Sequence, residues 1–389
     1  MTAKEARADL AYFGGKPAFA EELRVGTPNV PARDRYLQLV GDAIDRGWLS
    51  NRGPLVRDFE SLVSRRTLRA HNTATNNATT ALQVAAKACG MRGEIIMPSF
   101  TFVATAHAMS WIGLTPVFCD VDPDTGTLDP VSVAKALSPR TGGILGVHIW
   151  GNLCDTAALD DVARAAGVPL LFDAAQAFGC HPLAPSPSGT TEVFSFHATK
   201  IVNCFEGGLI ATDDAEVAAR VRALHNFGFD EAMEVAGPGT NAKMHESSAA
   251  MGIASVERMD DTLRVYRELH ARYREVLSGV PGVVQMPDPP GQTHNHQYVV
   301  LQVDPARAGL DRDRLAAVLD AENILTKKYF WPACHRMRPY RTDPVHTPVD
   351  LSVTERLSAR VLALPTGLSV SPQDVDQICA VIAAAVRYA

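Results

Sequence analysis

From about residue 72 to 212, short apolar runs alternate with segments whose apolar positions recur at helical spacing. The runs are "EIIMP" (94–98), "PVFCDVD" (116–122), "GGILGVHIWG" (142–151), "VPLLFDAA" (168–175), and residues 192–196 and 209–212. Their shortness and continuity predict buried strands. Between them, "NATTALQVAAKACG" (77–90), "TFVATAHAMSWIG" (101–113), "DPVSVAKAL" (129–137) and "DTAALDDVARAAG" (155–167) predict helices. Asp129 and Asp155 stand where a helix cap is needed, and Gly90 and Gly167 where a helix stops. Strands alternating with helices predict an α/β fold with a mostly parallel sheet covered on both faces. Ligands of such sheets sit beyond the carboxyl ends of the strands.

Past residue 245 the pattern changes. Residues 246–279 predict one long helix, or two joined near 260. A Pro/Gly-rich loop follows, then a strand "YVVLQVD" (298–304) and helices over 311–324 and 371–389. The expected division is a large domain, 1–265, and a smaller C-terminal α/β domain, 266–389.

Composition narrows the function. The 389 residues are 46% hydrophobic, enough for a sizeable core, and carry a net charge of −6 with no basic block. That excludes an electrostatic nucleic-acid binder. No run of eighteen apolar residues exists to span a membrane. The N-terminus "MTAKEARADLAYFGGKPAF" has no apolar signal core. Seven scattered cysteines without a C-x-x-C pair read as free thiols, and the expected location is the cytoplasm.

The stretch "EVFSFHATKIVNCFEGGLIATDD" (192–214) places Lys200 after a buried strand and before a glycine turn. A lysine there is an ordinary surface residue unless its surroundings use it. Four features give it surroundings. Asp173 ends the strand "LLFD", where it is either a cap or a buried carboxylate. "TNNATTAL" puts small polar residues at a helix start, an ordinary cap or an anion site. Ser195 offers a hydroxyl on the strand leading to Lys200. Phe100 and Phe102 in "PSFTFVATA" are core residues or stack on a flat ring. Together these match the needs of pyridoxal 5′-phosphate (PLP): an amine for its aldehyde, a carboxylate for its ring nitrogen, a cradle for its phosphate and an aromatic for its face.

The chain also resembles the DegT/DnrJ/EryC1/StrS sugar-nucleotide aminotransferases. The resemblance is carried by "NRGPLVRDFE" (51–60), "NATTAL" (77–82), "PSFTFVATA" (98–106), "FDAAQAFG" (172–179), "SFHATK" (195–200), "EGG" (206–208) and "GTNAKMHESSAAMG" (239–252), all in family order. It implies a fold type I aminotransferase, with a mostly parallel seven-stranded sheet between helices. By position, Lys200 resembles the lysine that holds the cofactor and moves protons. Asp173 resembles the partner of the pyridine nitrogen, and Gln176 that of the ring hydroxyl. Ala78 and Thr79 resemble the phosphate cradle, joined by Ser195, and Phe102 the stacking aromatic. Asn241 resembles a phosphate ligand delivered by the neighbouring subunit, which implies a homodimer with shared sites. Two positions depart from the family: Phe205 stands where Gly is usual, and His245 where Ser or Thr precedes the glutamate.

Other residues attract attention. "HNHQY" (294–298) has two histidines two apart, but no third ligand with supporting spacing follows, so it reads as a loop and no metal is expected. His148 and Trp150 lie at a strand end, as core or as contacts. "KKYFWPACHRMRPY" (327–340) is an interface patch or a nucleotide-diphosphate surface, with Tyr329, Phe330 and His335 as substrate candidates. Similar "YFWP-x-x-H" stretches occur in relatives that aminate C4 of a dTDP-linked 4-keto-6-deoxyhexose. The expected activity is therefore amino transfer from L-glutamate to a nucleotide-linked keto sugar, at C4 of dTDP-4-keto-6-deoxy-D-glucose. The alternatives are amination of a 3-keto sugar and a PLP-binding regulator without turnover.

Overall fold

The computed structural model describes residues 4–183, 189–230 and 232–388. Its centre is a seven-stranded sheet. In chain order the strands are β1 (His71–Thr75), β2 (Glu94–Pro98), β3 (Thr115–Cys119), β4 (Thr141–Val147), β5 (Leu170–Asp173), β6 (Thr191–Ser195) and β7 (Gly208–Thr212). They lie in the order β1-β7-β6-β5-β4-β2-β3. The pairs from β3 across to β6 are parallel, whereas β7 is antiparallel to both β6 and β1. β7 is thus the one reversed strand of the seven. A mostly parallel seven-stranded sheet is what the sequence led one to expect.

The period-two alternation of strand side chains divides the core into two layers. Ile95, Met97, Leu171, Val193 and Ile210 pack with Ala81, Leu82 and Ala85 of the helix Ala78–Ala88. Their neighbours point the other way. Phe194, Leu209 and Ala211 meet Leu55, Phe59 and Val63 of the helix Pro54–Thr67. Ile96, Ile144 and Phe172 meet Val133 and Leu159 of the helices Pro130–Ala136 and Thr156–Ala166. Both faces are covered, which is why the strands read as unbroken apolar runs.

The segment 246–279 forms two helices, Glu246–Val256 and Met259–Leu277. The second runs through the division expected at 265/266. It carries Leu269, Tyr273 and Leu277 into a second core. There a three-stranded antiparallel sheet, Val283–Gln285, Val299–Val303 and Val361–Leu364, packs with the helices Arg312–Ala321 and Pro372–Arg387. The chain's beginning belongs to this core as well. Leu10 is fully buried in it, Leu23 and Arg24 pair with Ile324 and Leu325, and Lys4 forms a buried ion pair with Glu322 at 2.8 Å. Glu322 also accepts from the backbone N–H groups of Ala11 and Ala18.

Two motifs distant in sequence prove to be one interaction. Glu246 is buried, and its carboxylate accepts from the N–H groups of Leu55 (2.8 Å) and Val56 (3.2 Å). These are first-turn donors that the helix Pro54–Thr67 cannot satisfy itself. A Cβ on Gly53 would lie 2.6 Å from that carboxylate, so a larger residue there would push it off these donors.

Candidate active site

The carboxyl ends of β1, β2, β4, β5 and β6 open onto one cavity of about 360 Å³. Reversed β7 begins at the same edge, since Gly208 pairs with both Thr75 and Ser195. A Cβ on Gly208 would lie 2.7 Å from the N atom of Ala78. Only glycine lets β7 lie against the start of the helix Ala78–Ala88. Asn77 caps that helix, its side chain accepting from Thr80 N–H at 2.8 Å. The first N–H groups of this helix and the Ser195 hydroxyl border the cavity together and suit an anion.

Asp173 lies at the end of β5, 5% exposed. One carboxylate oxygen accepts from Thr105 Oγ1 at 2.8 Å and the other from Ala175 N–H at 3.1 Å. Burial pushes its pKa up, opposed by those bonds and by the Lys200 charge. Lys200 faces the cavity with protein packed around its stem, and burial lowers its amine to about 8, against the pull of Asp173 and Tyr329. That leaves a far larger neutral, nucleophilic fraction near physiological pH than an ordinary lysine has. Nζ donates to Tyr298 Oη at 3.1 Å. The Lys200 backbone is fixed too, its carbonyl accepting from Asn29 Nδ2 at 3.0 Å, while Asn29 Oδ1 accepts from Tyr266 Oη. Gln176 Oε1 accepts from Trp150 N–H at 2.6 Å. His148 is stacked on Phe172, with ring centroids 4.8 Å apart. Its Nδ1 accepts from Cys154 N–H, so the ring proton sits on Nε2, towards Glu192.

The cavity brings together Ala78, Thr79, Phe102, Asp173, Gln176, Ser195, Lys200, Tyr329 and Phe330, all singled out in the sequence. Asn241 is exposed and outside it. The expectation that His335 faces substrate is corrected. His335 is buried behind the cavity, with Nδ1 on Ser99 Oγ (2.7 Å) and Nε2 on Glu355 (2.6 Å). Sequence reasoning missed Tyr298 and Thr105. Tyr298 lies where the stretch read as a loop meets the expected strand, and Thr105 is one of several polar residues in its helix. It also missed what joins His296: His270 and Asp288 precede it in the chain and stand beside it in space.

The two departures have local explanations. Phe205 has φ 60°, the left-handed region that glycine enters freely. Its N–H bonds Asn203 Oδ1 and its ring meets the edge of Tyr36. His245 is the N-cap of the helix Glu246–Val256 and makes no side-chain cap, the role a Ser or Thr would fill.

A buried carboxylate, a lysine of lowered pKa, a helix N-terminus narrowed by glycine and an aromatic wall fit PLP. Together with the fold they define a PLP-dependent aminotransferase of fold type I. The pattern of the DegT/DnrJ/EryC1/StrS aminotransferase family matches residues 32–383, and the chain belongs to that family. It is similar to the dTDP-4-amino-4,6-dideoxy-D-glucose transaminase of Escherichia coli, 30% identical with 92% of this chain and 96% of the relative covered. It is likewise similar to GDP-perosamine synthase of Caulobacter vibrioides, 31% identical over 92% of this chain and 97% of that one. Among solved structures, DesI in the presence of its TDP-sugar product superimposes with a TM-score of 0.93 at 49% identity, covering 98% of this chain and 97% of that one.

Proposed function

We propose that the enzyme moves an amino group from L-glutamate to C4 of a nucleotide-linked keto sugar, dTDP-4-keto-6-deoxy-D-glucose being the best fit. The observation that carries this reading is the likeness to DesI, 49% over nearly the whole of both chains, in a structure holding a TDP-sugar product. The transaminase relative is also named for a 4-amino sugar. Seven free thiols fit a reducing compartment, the cytoplasm. No helix among the described residues is long and apolar enough to cross a membrane.

Bound here, PLP supplies the carbon that carries the amine and an electron sink for the bonding pair. The residues of the chain do the rest. Lys200 Nζ holds the cofactor, and when released it is the base and acid that moves the proton on the reacting carbon. Tyr298 Oη fixes the direction of that amine. Asp173 would set its carboxylate against the ring nitrogen, with Thr105 holding Asp173 in place. Ser195 and the first turn of the helix Ala78–Ala88 would hold the phosphate. Phe102, 57% exposed at the cavity mouth, would stack on the ring.

The mouth is completed, in this reading, by a second copy of the chain. Asn241 and the apolar side chains of Trp48, Leu49 and Phe227 lie exposed. A two-fold dimer brings one protomer's Asn241 to its partner's phosphate. Mixing Asn241→Ala chains with Lys200→Ala chains should restore activity at limiting PLP. Verified mixed dimers that stay inactive would overturn the shared site. For the reaction, the deciding experiment is product analysis by NMR with glutamate and each keto isomer. A 4-amino product supports the proposal, whereas exclusive turnover of the 3-keto isomer overturns it.

A further inference from the structure

A cluster outside the catalytic cavity has the donor set of a metal site. His270 comes from the helix Met259–Leu277, Asp288 from the loop after the strand Val283–Gln285, and His296 from the stretch before the strand Val299–Val303. Their ligand atoms all lie within 4.8 Å of one another. One oxygen, Asp288 Oδ1, stands 3.5 Å from His270 Nε2 and 3.8 Å from His296 Nδ1. Bonds of about 2.0–2.2 Å in a tetrahedral site put ligand atoms roughly 3.4 Å apart. The cluster is therefore close to that size, while two of its separations are too long for hydrogen bonds.

One unsatisfied atom belongs to the cluster, and a second lies at a small cavity that His270 and Asp288 also line. His296 Nδ1 is buried with no hydrogen-bond partner. Trp150 Nε1 is also buried without one, and Trp150, His270, Asp288 and His294 line a small cavity of about 10 Å³, room for about one water or ion. Buried polar atoms are rarely left unpaired without a reason. Burial lowers the pKa of His270, His294 and His296, with Arg274 and Arg267 nearby adding to it for His296, so the rings are neutral and keep a lone pair at neutral pH. His294 has no lone pair to give. Its Nδ1 accepts from His296 N–H, and its Nε2 faces Asn152 Oδ1. Arg274 holds the other Asp288 oxygen at 2.9 Å. Gln285 Nε2 donates to His270 Nε2 at 2.9 Å; an ion would replace that bond and leave the amide on the His270 carbonyl at 3.3 Å.

We propose that His270 Nε2, Asp288 Oδ1 and His296 Nδ1 bind one divalent transition-metal ion of the zinc class, with water as the fourth ligand. Two imidazoles and one carboxylate suit zinc and its transition-metal neighbours rather than magnesium or calcium. The ion would fasten the stretch that reaches the catalytic cavity. Next to His296, Asn295 donates to the Gln176 and Phe178 carbonyls and Gln297 to the Thr199 carbonyl, and Tyr298 holds Lys200 Nζ.

The test uses untagged PLP-loaded enzyme, stripped with chelator, desalted and titrated with zinc chloride, with cobalt chloride as a visible-absorption probe. About one ion per chain is expected. Asp288→Asn and His296→Gln should each weaken binding by at least about 10–100-fold, the loss seen even for residues that only support ligands. Retained PLP absorbance establishes that these variants are folded. His346→Ala, which removes an imidazole packed on Phe118, should bind as the wild type does. Zinc should also slow amide exchange over 294–298. No bound zinc, or binding that survives both substitutions, would overturn the site; exchange unchanged by bound zinc would overturn the fastening.

Discussion

The inner end of the cavity and its mouth are built on different terms. At the inner end the functional groups already have hydrogen-bond partners within the chain. Asp173 is held by Thr105 and Ala175, Lys200 by Tyr298 and Asn29, and Gln176 by Trp150. At the mouth, Phe102 is 57% exposed, and Asn241 lies outside the cavity altogether. The difference separates chemistry from selectivity. Groups that must meet a developing charge are fixed in advance. Groups at the mouth stay exposed, and on the proposed reading substrate and a second subunit complete them.

The largest effect should come from the inner end. Lys200→Ala should abolish turnover with glutamate and with the keto sugar alike, a loss of at least about 10⁴-fold, as proton transfer alone contributes roughly 10²–10⁴. Asp173→Asn should keep PLP bound yet slow both half-reactions on the order of 10³-fold, the cost of one preorganised charge-stabilising group. Near-normal rates in single-turnover absorbance would show that the ring nitrogen's partner lies elsewhere.

A change at a substrate candidate should split the half-reactions. Tyr329→Ala should raise KM for the sugar nucleotide about tenfold, the loss of a single stacking contact of about 1–1.5 kcal/mol. The glutamate half-reaction should keep its rate. Equal damage to both would erase the distinction between the two regions. The smallest effect lies away from the cavity. His245→Ser should supply the missing cap of the helix Glu246–Val256 and raise stability by about 1 kcal/mol, read by urea denaturation. No gain would mean that the His245 ring has a use the monomer does not show.

The same contrast governs how much the sequence discloses. Strands buried on both faces announce themselves as apolar runs, and Lys200, Asp173 and the cradle lie at the ends of such runs. β1 does not, because "HNTAT" is polar and takes its place in the sheet only through pairing with β7. Tyr298 and Thr105 are set by side-chain approach across 98 and 68 residues. No local spacing encodes either contact. The packing of residues 10–23 on the C-terminal core is equally nonlocal. His335 shows the converse error. It sits among aromatics and cations that suit a phosphate surface, but Ser99 and Glu355 claim both its nitrogens.

The most direct test of the account is to find which lysine holds PLP. Borohydride treatment of the PLP-loaded enzyme fixes the cofactor to its lysine, and peptide mapping then locates it. The account predicts a single tag on Lys200, absent when glutamate is added in excess before the borohydride. A tag on any other lysine, with Lys200 unmodified, would contradict it.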